Sequence, residues 1–194
     1  MTSSHFYAML SRMKYINRWG LMNNTRLENI SEHSLVVAML SHALVVISNK
    51  RFDTQLNPEH AAMLGLYHDA SEIITGDMPT PVKYFNPKIS DAYKQVEHVA
   101  CEKLLSYLPE DLKSSFESLF IADENDAVYV PFVKAADKLS ALIKCIEEEK
   151  VGNKEFSQAK ISTQKALEDM DLPYVNVFLD EFVPSFYLTL DEQD

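Results

Sequence analysis

The sequence predicts an all-α protein, and three observations carry that prediction. Only four glycines occur in 194 residues, too few for the tight turns of an all-β domain. No stretch sustains the period-two alternation of a half-buried strand. Apolar residues recur instead at spacings of three and four along the chain, the signature of amphipathic helices. The length suits one domain over residues 1–194, a helical bundle of irregular topology. Its core is expected over about residues 28–140, with helices over 153–186 packing back on it.

The elements follow in order. A first helix is predicted from Ser4 to Asn17, with Phe6, Met9, Leu10, Met13 and Ile16 on one stripe. Arg18–Arg26 is a connector. Ser31 is a suitable N-cap for a largely buried helix to Asn49, with His33 in its first turn. Asn57-Pro58 opens a third helix, cap then proline, predicted to run to Ile74 and break at Gly76. Asp77–Pro81, with two prolines, reads as an irregular loop. Ser90 is expected to cap a helix to Leu108, and Pro109 to start a shorter one to Phe120. After an acidic turn over Asp123–Val130 comes a helix through Val133, Leu139, Leu142 and Ile146 that ends in Glu147-Glu148-Glu149. Gly152-Asn153 opens another to Met170, and the tail over Val175–Phe186 is apolar enough to fold back on the body.

Composition narrows the function. The chain is 46% apolar, ordinary for a globular core. A net charge of −11 should repel nucleic-acid backbones and anionic membranes, which argues against a nucleic-acid polymer as partner. Cys101 and Cys145 have neither metal-type nor redox-type spacing and are read as free thiols. The first residues lack the basic and apolar regions of a signal peptide, and no apolar run approaches the ~18 residues that span a bilayer. The expectation is a cytoplasmic protein with no membrane partner.

The candidate site lies at Tyr67-His68-Asp69-Ala70-Ser71-Glu72 and continues through Gly76-Asp77-Met78-Pro79-Thr80-Pro81-Val82-Lys83. On a helix of about 100° per residue, Glu72 falls roughly 40° from His68 and 60° from Asp69, so one face carries an imidazole and two carboxylates. Aiming such a face into an apolar core is costly unless a cation is bound there. His33 and Asp137, each inside its own apolar helical segment, are candidates to complete the set. Two imidazoles and two carboxylates suit manganese, cobalt, iron or zinc better than calcium. Taken singly, each residue also has an ordinary reading. His33 could be a surface histidine at a helix start, Asp137 an ion-paired neighbour of Lys138, and Trp19 a packing residue beside a solvated Arg18. His5, His42, His60 and His98 lie in no comparable setting and are given structural or surface roles.

The ordered set His33, His68-Asp69 and Asp137 resembles the H…HD…D signature of the HD-domain metal-dependent phosphohydrolases. Asn17-Arg18-Trp19, Glu28–Leu35, His68–Lys83, Lys134–Asp137 and Phe182–Phe186 are similar to the bacterial 5′-deoxynucleotidases of that superfamily, the YfbR type. The likeness covers nearly the whole chain, with Gly20 standing where a proline is expected after Arg-Trp. It implies an HD-domain enzyme that removes the 5′-phosphate from deoxyribonucleoside monophosphates, with one divalent metal such as cobalt or manganese, as a homodimer. By the same resemblance His33, His68, Asp69 and Asp137 would be the metal ligands, with His33 and Asp137 also beside the substrate. Glu72 would be the acid/base carboxylate, Arg18 would contact the phosphate, and Trp19 would help exclude a ribose 2′-hydroxyl. Asp77, Met78, Pro79 and Thr80 would form the loop beside the sugar, with Lys83 nearby. Binuclear members use additional histidines, and none follows His98 here, so one metal is expected.

The chemistry agrees with these assignments. Unaided phosphate monoester hydrolysis is extremely slow and calls for a metal with cations that balance charge. Arg18 offers a planar fork that matches phosphate. Two alternatives remain: an HD hydrolase acting on another phosphorylated nucleotide, and a catalytically silent HD-domain sensor that only binds one.

Overall fold

A computed structural model describes residues 3–83, 85–121 and 123–194 of the protein. Its helices, in chain order, are α1 (Phe6–Leu10), α2 (Ile30–Arg51), α3 (Pro58–Tyr67), α4 (Glu72–Thr75), α5 (Thr80–Lys83), α6 (Pro87–Leu105), α7 (Glu110–Lys113), α8 (Glu117–Phe120), α9 (Val130–Lys150), α10 (Ser157–Glu168) and α11 (Pro173–Glu181). No strand occurs among the described residues, and the all-α expectation holds. One isolated antiparallel bridge joins Asn17 to Asn29.

Two compact units share the chain. The first takes residues up to Leu21, Leu27–Ser34 and Tyr67–Val128; the second takes Met22–Arg26, Leu35–Leu66 and Tyr129–Asp194. The first is centred on Phe6, which is fully buried with Leu105 and Leu108. The rings of Phe116 and Phe120 meet Phe6 edge-on at 5.3 and 5.8 Å, an arrangement aromatic pairs favour. The second has the larger core, built from Val37, Leu44, Leu139, Leu142, Ile146, Leu167 and Val175. Tyr174 stacks on Phe132 at 4.3 Å, and Phe178 and Val183 bury the tail in this core.

Close approach in the second unit depends on small side chains. A Cβ added at Gly65 of α3 would lie 2.9 Å from Ser41 Oγ and 3.1 Å from both Ala38 Cα and Val37 O of α2. Only glycine lets these backbones meet so closely. α2 is long and apolar enough to cross a membrane by length and composition, beyond what its apolar runs suggested, although just over half of it is buried in the protein. Val37, Leu40, Leu44, Val45 and Ile47 are spent on the core of the second unit, as in any central helix.

Several boundaries differ from the sequence-based expectations, each for a local reason. The first helix ends at Leu10 and tightens into a 3₁₀ turn over Ser11–Tyr15. The cap of α2 is Asn29, not Ser31: Asn29 Oδ1 accepts from the N–H groups of Ser31 and Glu32, both at 3.0 Å. Asn86 likewise replaces Ser90 as the cap of α6, accepting from Ile89 N–H at 3.0 Å with Pro87 following it. The single helix expected over Pro109–Phe120 is two separate turns, α7 and α8, and the loop expected over Asp77–Pro81 is already helical from Thr80. Asn57 and Pro58 do open α3, with Asn57 Oδ1 accepting from His60 N–H.

The largest correction concerns α3, which stops at Tyr67 instead of running to Ile74. Residues 68–71 form a turn before α4 begins. Ala70 N–H bonds back only to Tyr67 O, and Glu72 N–H only to Asp69 O. His68, Asp69 and Glu72 therefore do not share one continuous helical face, and the angular argument for them fails.

Candidate metal centre

Breaking the helix at Tyr67 frees His68 and Asp69 to converge with His33. His33 sits in the first turn of α2, completely buried, and its backbone is held by the His33 N–H to Asn29 O bond at 3.1 Å. Asp69 Oδ2 lies 3.3 Å from His33 Nε2 and 3.1 Å from His68 Nε2. Ligand atoms of the three residues all fall within 4.8 Å of one another. Two imidazole nitrogens and a carboxylate oxygen aimed at one point are a donor set for a divalent transition metal, so the residues present fit such an ion. Desolvation pushes the Asp69 carboxyl up, but the two histidines outweigh it and hold the group well below the usual carboxylate range.

Glu72 opens α4 directly after the turn and is almost wholly buried. Its Oε2 has no hydrogen-bond partner among the described residues. Desolvation, followed by the charges of Asp69 and Asp77, raises its pKa to about 9 against the opposing pull of Arg18 and Lys83. A carboxyl group so placed holds a proton at neutral pH and can donate it. Asp77 is also raised, first by desolvation, while Arg18 and the Trp19 peptide N–H act to keep it ionised.

Arg18 and Trp19 leave the bridge that joins Asn17 to Asn29. Arg18 N–H donates to Glu28 O at 2.9 Å, and Ile30 N–H donates to Ile16 O at 2.9 Å. The Arg18 guanidinium contacts both Glu28 Oε2, at 3.2 Å, and His33 Nδ1. A guanidinium has no acceptor, so in this contact Nδ1 is the acceptor, and Nε2 is the His33 atom that faces Asp69. Trp19 Nε1–H donates to the same Glu28 Oε2 at 2.9 Å. The backbone of Trp19 is left-handed, with φ +61°, a conformation that costs a bulky residue about 1–3 kcal/mol and persists only where its surroundings over-determine it.

The expected sugar loop divides in two. Asp77, Met78 and Pro79 are irregular, and Pro79 O closes the first turn of α5 by accepting from Val82 and Lys83 N–H. Thr80 begins α5, and Lys83 ends it with its ammonium 2.9 Å from Glu97 Oε1 and 4.8 Å over the Tyr93 ring. Tyr93 also donates to Gly76 O at 3.2 Å, which anchors the loop at its start.

All of these residues belong to the first unit. Asp137, the remaining expected ligand, is half-buried on α9 in the second unit. Sequence reasoning gave no role to Glu28, although it opens the Glu28–Leu35 motif, or to Tyr93, which had no signal. The other histidines take other surroundings: His5 meets Tyr107, His60 meets Tyr129, and the exposed His98 lies 3.6 Å from Glu102. Cys101 and Cys145 both carry thiols and form no disulfide.

Comparison with known proteins adds to this geometry. The family model described as 5′-deoxynucleotidase YfbR-like matches residues 5–186. A 5′-deoxynucleotidase of Vibrio atlanticus is 50% identical over 192 residues, covering 99% of either chain. An HD-domain phosphohydrolase from Listeria innocua superposes with a TM-score of 0.81 at 20% identity, over 97% of this chain and 91% of that one. A cyanophage S-2L HD phosphohydrolase, bound to dA and one catalytic Zn²⁺, superposes with a TM-score of 0.67 at 20% identity, over 97% and 99%. At that identity the likeness to the two structures is one of fold, and the fold is the HD domain.

Proposed function

The chain belongs to the YfbR-like 5′-deoxynucleotidase family, and we propose that it hydrolyses deoxyribonucleoside 5′-monophosphates to deoxyribonucleosides and phosphate. The observation that carries this reading is the convergence of His33, His68 and Asp69 beside the buried Glu72. Donors that converge in this way suit a divalent metal, and a proton-bearing carboxyl next to them suits hydrolysis of a phosphate ester.

In this reading His33, His68 and Asp69 hold one divalent transition metal, cobalt, manganese or a similar ion, and Asp137 is the fourth ligand on the strength of the sequence motif alone. The metal would supply a Lewis acid for a phosphate oxygen and lower the pKa of a ligated water. Glu72 is the acid/base carboxylate and supplies the proton that the leaving 5′-oxygen needs as the P–O bond breaks. Arg18 pairs its fork with the phosphate and balances its charge. Trp19 closes the space a ribose 2′-hydroxyl would need. Asp77 accepts from a sugar hydroxyl, flanked by Met78, Pro79 and Thr80, and Lys83 adds positive charge nearby.

We also propose a cytoplasmic homodimer, which sedimentation at micromolar concentration would show as twice the chain mass. In the tail around Phe178, Phe182 and Phe186, Phe178 is buried in the core whereas Phe182 is 43% exposed. Leu35 and Met39, each more than half exposed and one turn apart on α2, are better placed.

The deciding experiment is phosphate release from matched deoxyribo- and ribonucleoside 5′-monophosphates, with metal stripped and then restored as cobalt, manganese or magnesium. Metal-dependent release from the deoxy substrates alone is expected. Equal release from both sugars would remove the role given to Trp19. Nucleotide binding with no release under any metal would favour a sensor.

A further inference from the structure

We propose that Glu28 is a specificity-determining positioning residue, whose carboxylate sets the discrimination between deoxyribo- and ribonucleotides by holding Arg18 and Trp19 together. The inference rests on the reading above, in which Arg18 meets the phosphate and Trp19 the sugar.

One oxygen is shared by the two side chains. Glu28 Oε2 accepts from Arg18 Nη1 at 3.2 Å and from Trp19 Nε1 at 2.9 Å. The guanidinium, which also meets His33 Nδ1, lies 5.9 Å from the indole ring, and Glu28 Oε2 is an acceptor that the two side chains share. Phosphate and 2′-carbon are joined by a short chain of bonds, so their separation in a bound nucleotide is confined to a few ångströms. A fork and a ring that share an acceptor can therefore read both ends of the sugar phosphate at once.

The carboxylate is not needed to close the connector. The backbone bonds Arg18 N–H to Glu28 O and Ile30 N–H to Ile16 O, both 2.9 Å, already pin the two segments. These bonds act on the backbone, whereas Glu28 Oε2 acts on the orientation of the two side chains. The indole has a single donor, Nε1–H, so one acceptor fixes the rotation of its plane. The Trp19 backbone is fixed separately, by its φ of +61° and its peptide N–H to the Asp77 carboxyl. The Glu28 side chain is only 15% exposed, which limits competition from water for either bond.

Trp19 is the only tryptophan in the chain, so its fluorescence reports on this contact without reference to activity. The experiment compares Glu28→Ala, Glu28→Gln and Trp19→Ala with the native, metal-loaded protein. For each, kcat and KM are measured on a deoxyribo- and the matching ribonucleoside 5′-monophosphate, and tryptophan emission is recorded for the Glu28 variants. Glu28→Ala is expected to lower the deoxy-to-ribo ratio of kcat/KM by about tenfold or more. The change should appear as a higher KM for the deoxy substrate with kcat nearly kept, and emission should shift to the red. Glu28→Gln, which keeps an acceptor, should restore much of the ratio and the emission. Should Glu28→Ala fail to fold, Glu28→Met keeps the bulk without an acceptor and is expected to give the same loss.

A ratio that falls in Trp19→Ala but not in Glu28→Ala or Glu28→Met would overturn the role of Glu28 and leave the sugar-selection reading standing. An unchanged ratio in Trp19→Ala would overturn that reading and this proposal together. A lowered ratio with emission unmoved would also overturn the proposal, because the effect would not then pass through the indole.

Discussion

Glu72 and Asp69 are three residues apart and sit at opposite ends of the carboxylate range. The difference is one of neighbours. Asp69 faces two imidazoles and stays ionised, whereas Glu72 is desolvated among other carboxylates and is pushed up to about 9. One group is suited to hold a cation and the other a proton. Glu72→Gln, close to isosteric and unable to exchange a proton, should lower kcat by about 10²–10⁴-fold while metal content per chain, measured by elemental analysis, stays native. Native turnover in that variant would remove Glu72 from the mechanism. At this scale the sequence was informative about identity, since His33, His68, Asp69 and Glu72 were all named from it. It was uninformative about orientation. The arrangement was expected from a continuous helix and is built instead by a helix that stops.

Among the elements, α9 carries a buried ion pair whose cost needs explaining. Lys144 and Glu148, one turn apart, are 4% and 1% exposed. Removing two charges from water is repaid only by close geometry and full hydrogen bonding. Glu148 accepts from Lys144 Nζ, from Thr25 N–H and Oγ1 at 3.1 and 2.6 Å, and from Asn153 Nδ2 at 2.7 Å. Lys144 Nζ also donates to Arg26 O at 2.6 Å. This hub ties the 22–26 segment to α9 within the second unit. Burial alone would raise the Glu148 pKa, but these donors outweigh it and bring the group down to about 2. A depressed carboxylate stabilises the folded state fully above its unfolded pKa, near 4.5, and the contribution is lost as pH falls toward 2. Its size is roughly 3 kcal/mol. Glu148→Gln should therefore lower stability at pH 7 by about 3–5 kcal/mol, since Lys144 is left buried and unpaired. Chemical denaturation of the variant should show a stability that changes less than the native protein's between pH 5 and pH 3. An unaltered pH dependence would place the charge of Glu148 elsewhere in the balance. Sequence reading saw Glu147-Glu148-Glu149 only as an acidic helix end, because nothing local distinguishes the middle glutamate. Its inward position on α9 does.

For the whole molecule, the division into two units matters most, because the expected ligand set draws on both. His33, His68 and Asp69 are in the first and Asp137 is in the second. A metal held by the folded state alone raises stability by mass action, about 2.7 kcal/mol at a hundredfold excess over its Kd. Thermal unfolding of stripped protein should therefore move up on addition of cobalt or manganese. The shift should be abolished in His68→Ala and reduced in Asp137→Asn. A full shift in Asp137→Asn would leave the metal to the three-residue cluster and strike Asp137 from the ligand set.

By itself the sequence determined the fold class, the rough places of the long helices and the identities of His33, His68, Asp69 and Glu72 as candidates. Each depends on local facts: the spacing of apolar residues, the scarcity of glycine, and the identity of a few histidines and carboxylates at recognisable separations. Tertiary structure decided where α3 ends, which asparagines cap α2 and α6, which glutamate is buried, and that one oxygen of Glu28 joins Arg18 to Trp19. Those outcomes turn on competition between groups distant in the chain. Satisfying a buried donor or acceptor is worth more than one further turn of regular helix, and only the folded arrangement shows which groups meet.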